Sequence, residues 1–526
     1  MEEEPSASGA ETRRQILGIA RGGGLNLLGQ VCSQVAMLGV TVLLARRLGR
    51  DDLGRYAQAF AFLSLLGLLS LSGFRAGLTR FVAVHLAERD PGALRGTVRL
   101  GIALTTGVAG VLALALCPAA PWLAGSVFHD AHLTLPLRAV ALALPAATFT
   151  DSALAATQGF RTMKPFALVG LVFEPLARVG GSAALLVAGA GLRGVMAALV
   201  ASNLAAAVLA GAALRRLMRS APATAAAVGP GSGRAARHRA RPTYNVGELL
   251  GFSMVSWGAS LASTGLIWGD TILIGALRSS AEVGVYNVAT RLVTLATFVM
   301  PAINGALGPR IADLYHRGQR DSLRRAYSVA TSWILRLSLP AFIVLLAFPD
   351  ELLRLFGKGF RAGAAVTVVL AGGKLVDAAT GPCGLALNMS GRPLWSMVDN
   401  LAVLVLNVLL NLWLIPSRGI AGAAVAWAVA LGTVNLARVV QVWAFMHMLP
   451  FDLGALKGAL AGAGALAAGL LARHWLGPPG TVTTAALGLT LVVVVYLALL
   501  AALGIGPEDR LVLKSLLRRL APAGST

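Results

Sequence analysis

Charge is what this 526-residue sequence has least of. Asp, Glu, Lys and Arg make up only 13% of it, about half of what a water-soluble chain carries, and that scarcity excludes an ordinary soluble globular fold. Acids are scarcer still: 23 stand against 45 Lys and Arg, for a formal charge of +22. The excess does not point to nucleic acid, because the basic residues fall mostly in short segments between apolar runs, where membrane insertion places them. Cys32, Cys117 and Cys383 are the only cysteines. Each lies in or at the end of an apolar run without paired spacing, so no disulfide or thiolate-metal framework is expected and they read as small hydrophobes. The nucleotide-cradling pattern G-x-x-x-x-G-K-[ST] does not occur, so direct ATP hydrolysis is not expected. No Ser/His/Asp or Cys/His set has a supporting motif, and His129 and His132 stand three apart with no third ligand, reading as surface histidines. No cofactor, metal or catalytic residue is expected. Residues 1–21 are acidic and then basic without a signal-peptide cleavage pattern, so the first span is expected to stay.

What the sequence has is apolar length: 56% hydrophobic residues and 61 glycines. Runs of about 20 residues recur from end to end, each long enough to cross roughly 30 Å of hydrocarbon as a helix. Reading runs between charged or Pro/Gly-rich breaks predicts an all-α polytopic membrane protein with about fourteen spans. They fall at 22–45, 53–73, 97–117, 134–157, 165–189, 193–214, 249–276, 283–307, 326–348, 362–389, 393–415, 420–446, 455–473 and 481–504. Lys and Arg in the even-numbered connections and termini outnumber those in the odd-numbered connections by roughly three to one, which places both termini in the cytoplasm. The Ala-, Gly-, Pro- and Arg-rich stretch within 215–247 cannot build a core and reads as a disordered basic linker.

An internal repeat organises these spans. Gly54 and Tyr56 in DDLGRYAQA pair with Gly284 and Tyr286 in AEVGVYNVA at an offset of 230, as Arg80 does with Arg310. Lys164-Pro165 pairs with Arg392-Pro393, and Gly191 and Gly194 with Gly419 and Gly422, at an offset of 228. The expected organisation is a cytoplasmic N-terminus (1–21), a six-helix lobe (22–214), the linker (215–247), a second six-helix lobe (248–447), two extra helices (448–504) and a cytoplasmic tail (505–526). Six is even, so the lobes enter the membrane alike and are related by an axis along its normal. Two such halves enclose a cleft able to open to either side, which is transporter architecture.

Charges inside the spans are expensive, about 2.5 to 3.5 kcal/mol each on insertion scales, and normally face a cavity or a partner. The cations are Arg138, Arg178, Arg291, Arg336, Lys374 and Arg438, with Arg55 at a span edge; the acids are Asp151, Glu174, Asp270, Asp377 and Asp399. Glu174 with Arg178 and Lys374 with Asp377 share a helix face, as self-neutralised pairs or as cavity groups. Arg291 lies some 12 Å inside its span and reads as a cavity cation. Asn26, Gln30 and Gln34 stripe the first span, and Asn400, Asn407 and Asn411 the eleventh. Such faces either glue helices together or line a hydrated path.

The text LARRLGRDDLGRYAQAFAFLSLLGLLSLSGFRAGLTRFVA, with the later LGPRIADLYHRGQ and LNMSGRPLWSMVDNLAVLVLNVLLNLWLIPSRGIAGAAVA, resembles polysaccharide transporters of the oligosaccharide-flippase type. That family belongs to the multidrug/oligosaccharidyl-lipid/polysaccharide exporter superfamily. The resemblance covers about residues 12 to 450. It implies movement of an undecaprenyl-diphosphate-linked oligosaccharide to the outer leaflet of a bacterial cytoplasmic membrane, by a monomer working beside glycan assembly enzymes and driven by H+, Na+ or the membrane potential. It also implies a cationic central cavity, carried over to Arg21 or Arg55 in the first lobe and Arg291 in the second, with Lys374 and Arg178 as further cations and Asn26, Gln30 and Gln34 as polar lining. A cation-coupled drug or metabolite exporter of the same superfamily is the nearest rival, with Asp151, Glu174, Asp270 and Asp377 as ion-coupling carboxylates. A membrane glycosyltransferase or polymerase is a further reading. Asp51 and Asp52 are its acids, but its external loops are too short for a catalytic module.

Overall fold

An apolar run away from water satisfies its backbone N–H and C=O groups in one simple way, the α-helix, and the computed structural model of this chain contains no strand among its described residues. The structure describes the backbone of residues 7–220, 246–475 and 482–504; the side chains of 7–28, 306, 482–486 and several positions within 246–259 fall outside that description. In chain order the first helices are α1 (Ala7–Leu71), α2 (Phe74–Ala87), α3 (Pro91–Trp122), α4 (Thr134–Gly159), α5 (Glu174–Val187, preceded by a π-helical segment Phe166–Phe173), α6 (Gly191–Ser220) and α7 (Val246–Leu277). There follow α8 (Ser280–Ala296), α9 (Val299–His316), α10 (Arg320–Ala347), α11 (Pro349–Arg354), α12 (Ala364–Thr380), α13 (Cys383–Met389), α14 (Pro393–Met446), α15 (Leu453–Trp475) and α16 (Val482–Ala502).

Among the described residues ten helices are long and apolar enough to cross a membrane, or eleven if α8 and α9, bent by 46°, form one span. Two of these segments each hold two helices that meet at a kink: the expected spans 22–45 and 53–73 lie on either side of Gly49 in α1, and 393–415 and 420–446 on either side of Gly419 in α14. Each leaves helical geometry at a single glycine, Gly49 (φ 81°) and Gly419 (φ 57°), so a left-handed residue stands where a loop was expected. Gly191, the repeat mate of Gly419, has φ 56° at the start of α6. The repeat thus shows in backbone conformation as well as in text. Span 362–389 is also divided, by Gly381 and Pro382, into α12 and α13.

By its contacts the chain divides into two units, Met1–Gly284 and Val285–Thr526. In the first, α4 packs against α1, α2, α3 and α6, and 72% of its apolar window is buried against 22% for the span Pro91–Val127. Helix α7 packs on α1 and α2 and falls within the first of these units. In the second unit α15 and α16 pack on α10. Tyr496 donates to the Arg336 carbonyl at 2.9 Å, and Arg473 donates to Asp350 at 2.6 Å and to the Ala347 carbonyl at 3.0 Å. Of the expected linker, residues 215–220 prolong α6 and 246–247 open α7; the remainder, like the tail 505–526, lies outside the described residues.

The tightest approach in the first unit involves two repeat mates. A Cβ on Gly54 would overlap the Ser280 carbonyl, and one on Gly284 would overlap the Arg50 carbonyl. Arg50 and Ser280 are themselves separated by 230 residues, so the crossing is self-complementary under the repeat. Small residues four apart let helix backbones touch in a membrane. Gly54→Ala is expected to destabilise the chain by about 1 to 3 kcal/mol, the usual cost of overpacking. Gly39→Ala, in the same helix with open space around its Cβ, should leave stability unchanged; thermal unfolding of the detergent-solubilised protein compares the two.

Candidate functional site

Three of the candidate charges meet in one cavity of the first unit, of about 430 Å³, lined by α1, α4, α5, α6 and the π-helical segment, with Arg75 of α2 and Thr264 of α7 at its wall. Glu174 and Arg178 face it from the first turns of α5, paired at 3.1 Å, and Asp151 faces it from α4. Arg178 is only 4% exposed. Its guanidinium lies 4.9 Å from the centre of the Phe60 ring and one nitrogen stands 3.1 Å from the Met37 sulfur, so aromatic and thioether surfaces hold it in place. Its Nε has no hydrogen-bond partner, nor has the buried Thr148 Oγ1 on the same wall. Asn203 and Thr150 complete the polar lining, and Arg75 stands at the wall with its guanidinium 5.5 Å from the Phe166 ring. Two carboxylates thus meet two guanidinia around the cavity, one buried in its wall and one at its exposed edge, and of the acids only Glu174 is paired directly with Arg178.

Arg55 has a different setting. It donates from Nε and a terminal nitrogen to both Asp130 oxygens, at 2.7 and 3.1 Å, and from the other nitrogen to Asp52 at 2.7 Å. Asp130 also accepts from Ser280 Oγ at 2.7 Å and from the His132 backbone N–H at 3.1 Å, and buried Gln58 donates to Ser280 at 2.9 Å. Asp130 is held there by the π-helical turn Leu123–Val127, where its N–H donates to the Ala124 carbonyl, and by Phe128 packed edge-on against Phe62. Burial pushes the Asp130 carboxyl up, but the hydrogen bonds from Arg55 and Ser280, the Arg55 charge and the His132 N–H outweigh it and hold the group below the ordinary carboxylate range. The sequence shows a partner for Arg55 at Asp52, one turn away; Asp130, 75 residues on, comes to it only through the fold. The acid lies between His129 and His132, so the loop's chemistry resides in the residue between the two histidines.

The other candidates are dispersed. Gln30 and Gln34 are exposed and line neither the cavity nor its rim; Ser33 and Met37, rotated from them around α1, line it instead. Arg21 and Asn26 have side chains outside the described residues. Asp270 is buried and engaged, and Arg291 is half-buried and engaged; neither lines this cavity. In the second unit Lys374 pairs with Asp377 at 3.0 Å and lies over the Trp427 ring, while Asn435 donates to Asp377 at 2.8 Å. Arg438 donates to Asn400 at 2.7 Å and Gln441 to Asp399 at 2.8 Å. Asn407 and Asn411 are fully buried and bonded to each other, so the eleventh-span stripe is a packing face.

Asp130→Asn weakens the clasp on Arg55 and is expected to lower stability by about 1 to 3 kcal/mol. A depressed carboxyl contributes its stability above the ordinary value, about 3.9, and loses it as pH falls through the lower folded value. The melting difference between the wild type and the variant should therefore hold constant from pH 5 to 8 and narrow only below about pH 4, as thermal unfolding across pH will read.

The chain is 28% identical to "Probable low-salt glycan biosynthesis flippase Agl15" of Haloferax volcanii over 36% of its own length and 41% of the relative's. It is 26% identical to "Probable flippase AglR" of the same organism over 42% of its length and 47% of the relative's. The matches thus span less than half of these curated relatives. Among solved structures, "Lipid II flippase MurJ, inward closed conformation" superposes with a TM-score of 0.71 at 10% identity, covering 91% of this chain and 98% of that one, which establishes the two-lobe fold. The MatE family model matches residues 258–413. The model described as "Polysaccharide biosynthesis protein" matches residues 19–315, more than half of the chain, and this multi-pass membrane protein belongs to that family.

Proposed function

We propose that this protein moves a lipid-linked oligosaccharide across the membrane by alternating access. The observation that carries the reading is the cavity of about 430 Å³ lined by charged side chains on membrane-spanning helices, where a purely structural bundle would be closely packed and apolar. The cargo class comes from the relatives whose names record flippase and glycan-biosynthesis roles. In this reading the protein is a transporter without a catalytic centre, and each of the two long kinked helices crosses the membrane twice, for fourteen spans in two repeat lobes with both termini in the cytoplasm of a prokaryotic cell. The single chain is the working unit, beside enzymes that build and use the glycan. Arg178 is the first-unit cation available to an anionic head group, and Glu174 and Asp151 take up the coupling H+ or Na+. Arg291 and Lys374 are the second-unit contacts, and Arg55 serves closure of its end of the first unit. An inside-negative potential favours outward passage of a diphosphate by about 2.3 kcal/mol per charge per 100 mV.

The MatE match supports a second reading, export of a small cation coupled to the same carboxylates. Proteoliposomes discriminate the two. Wild-type protein is expected to expose a fluorescent polyprenyl-diphosphate oligosaccharide in the opposite leaflet and to leave a cationic dye in place; dye movement without lipid movement would overturn the flippase reading. Glu174→Gln and Asp151→Asn are each expected to slow flipping about tenfold or more while lipid binding in detergent changes less than twofold.

A further inference from the structure

A second concavity of the first unit, an open groove of about 800 Å³, lies at the end where the first, third and fifth connections meet: Asp52 and Arg55 beyond the α1 kink, residues 131–142 at the start of α4, and residues 189–193 before and within the first turn of α6. Three arginines line it, Arg55, Arg138 and Arg193. Arg55 is neutralised by Asp52 and Asp130. Arg138 and Arg193 are exposed and form no ion pair among the described residues, so the groove carries uncompensated positive charge.

Insertion does not explain these cations. All three elements belong to odd-numbered connections, the side that is poor in Lys and Arg in this sequence, whereas the insertion bias concentrates basic residues on the other side. Their surroundings are those of a lipid boundary. Arg138 is four residues into α4, about 6 Å along its axis, and sits on one helix face between Leu135 and Leu142, which are 40% and 67% exposed and line the same groove. Trp122, 63% exposed at the nearby end of α3, is the kind of residue that marks the head-group level. A guanidinium held between lipid-facing leucines at that depth suits an anion that brings its own hydrocarbon, since arginine grips phosphate oxygens through several donors at once.

We propose that this groove binds the phosphate head group of a membrane lipid through Arg138 and Arg193, with the acyl or prenyl chain lying along the Leu135–Leu142 face. It rests on the proposed function only for its setting, as the place where a flipped lipid diphosphate leaves the protein or where an anionic phospholipid steadies the outward end. Native mass spectrometry of the full chain in a neutral detergent tests it directly, with phosphatidylglycerol, geranylgeranyl diphosphate and inorganic diphosphate as separate titrants. Wild-type protein is expected to retain the two lipids. The Arg138→Gln/Arg193→Gln pair should weaken them about tenfold or more, and Arg138→Lys/Arg193→Lys should stay within about threefold. Arg216→Gln, on the arginine-rich side, should change nothing. Stronger retention of the prenyl diphosphate identifies departing cargo, and stronger retention of phosphatidylglycerol identifies bulk lipid; both support the site. Unchanged lipid binding by the glutamine pair, or displacement by inorganic diphosphate as effective as by lipid, overturns it. Wild-type protein that binds these lipids yet fails to flip in proteoliposomes would refute the proposed function and leave this site standing.

Discussion

The constraint on which the first unit depends is a backbone contact. Where Gly54 meets the Ser280 carbonyl and Gly284 meets that of Arg50, no side chain separates the helices, and everything around the crossing is placed by that close approach. It brings Ser280 within reach of Asp130 and Gln58, and Asp130 within reach of Arg55. In a bilayer, where apolar helices gain little from leaving lipid, such a contact supplies the dispersion and polar order that hydrophobic burial supplies in water. Because the partners are repeat mates, the same local solution appears twice in one crossing.

Charge within the membrane region follows a second rule: most of it is paired, and what is unpaired is exposed to a cavity or a groove. Lys374 with Asp377 and Asn435, and Arg438 with Asn400 and Asp399, are paired clusters, of the sort that fix helix order at modest net gain. The cavity between α4 and α5 departs from this pattern, since Glu174 is paired with Arg178 while Asp151 and Arg75 line the same space without a direct ion pair among the described residues. The outer groove is more basic, with Arg138 and Arg193 standing beside an Arg55 that already engages Asp52 and Asp130. Within one unit a cavity of mixed charge and a basic groove are thus separate features.

Much of the architecture was legible in the text. Long apolar runs away from water form helices, so most helix positions follow from composition and spacing. The repeat was legible too, and its paired glycines recur as paired backbone conformations at Gly191 and Gly419. Local pairs such as Glu174 with Arg178 were readable because helical periodicity alone places them together. Less readable was the manner of each break: a single left-handed glycine at Gly49 replaces a loop, and hydropathy does not register one φ angle.

What the sequence by itself determined is therefore the medium, the helical class, the repeat and the short-range ion pairs, because each depends on residues within a few turns of one another. Only the tertiary structure decided that Asp130 clasps Arg55 across 75 residues, that Asp151 joins Glu174 in one cavity while Gln30 and Gln34 point elsewhere, and that Arg138 and Arg193 share a groove. Those outcomes depend on helix rotation and depth. A rotation of 100° per residue moves a side chain from lipid to cavity without changing the hydropathy of the span at all.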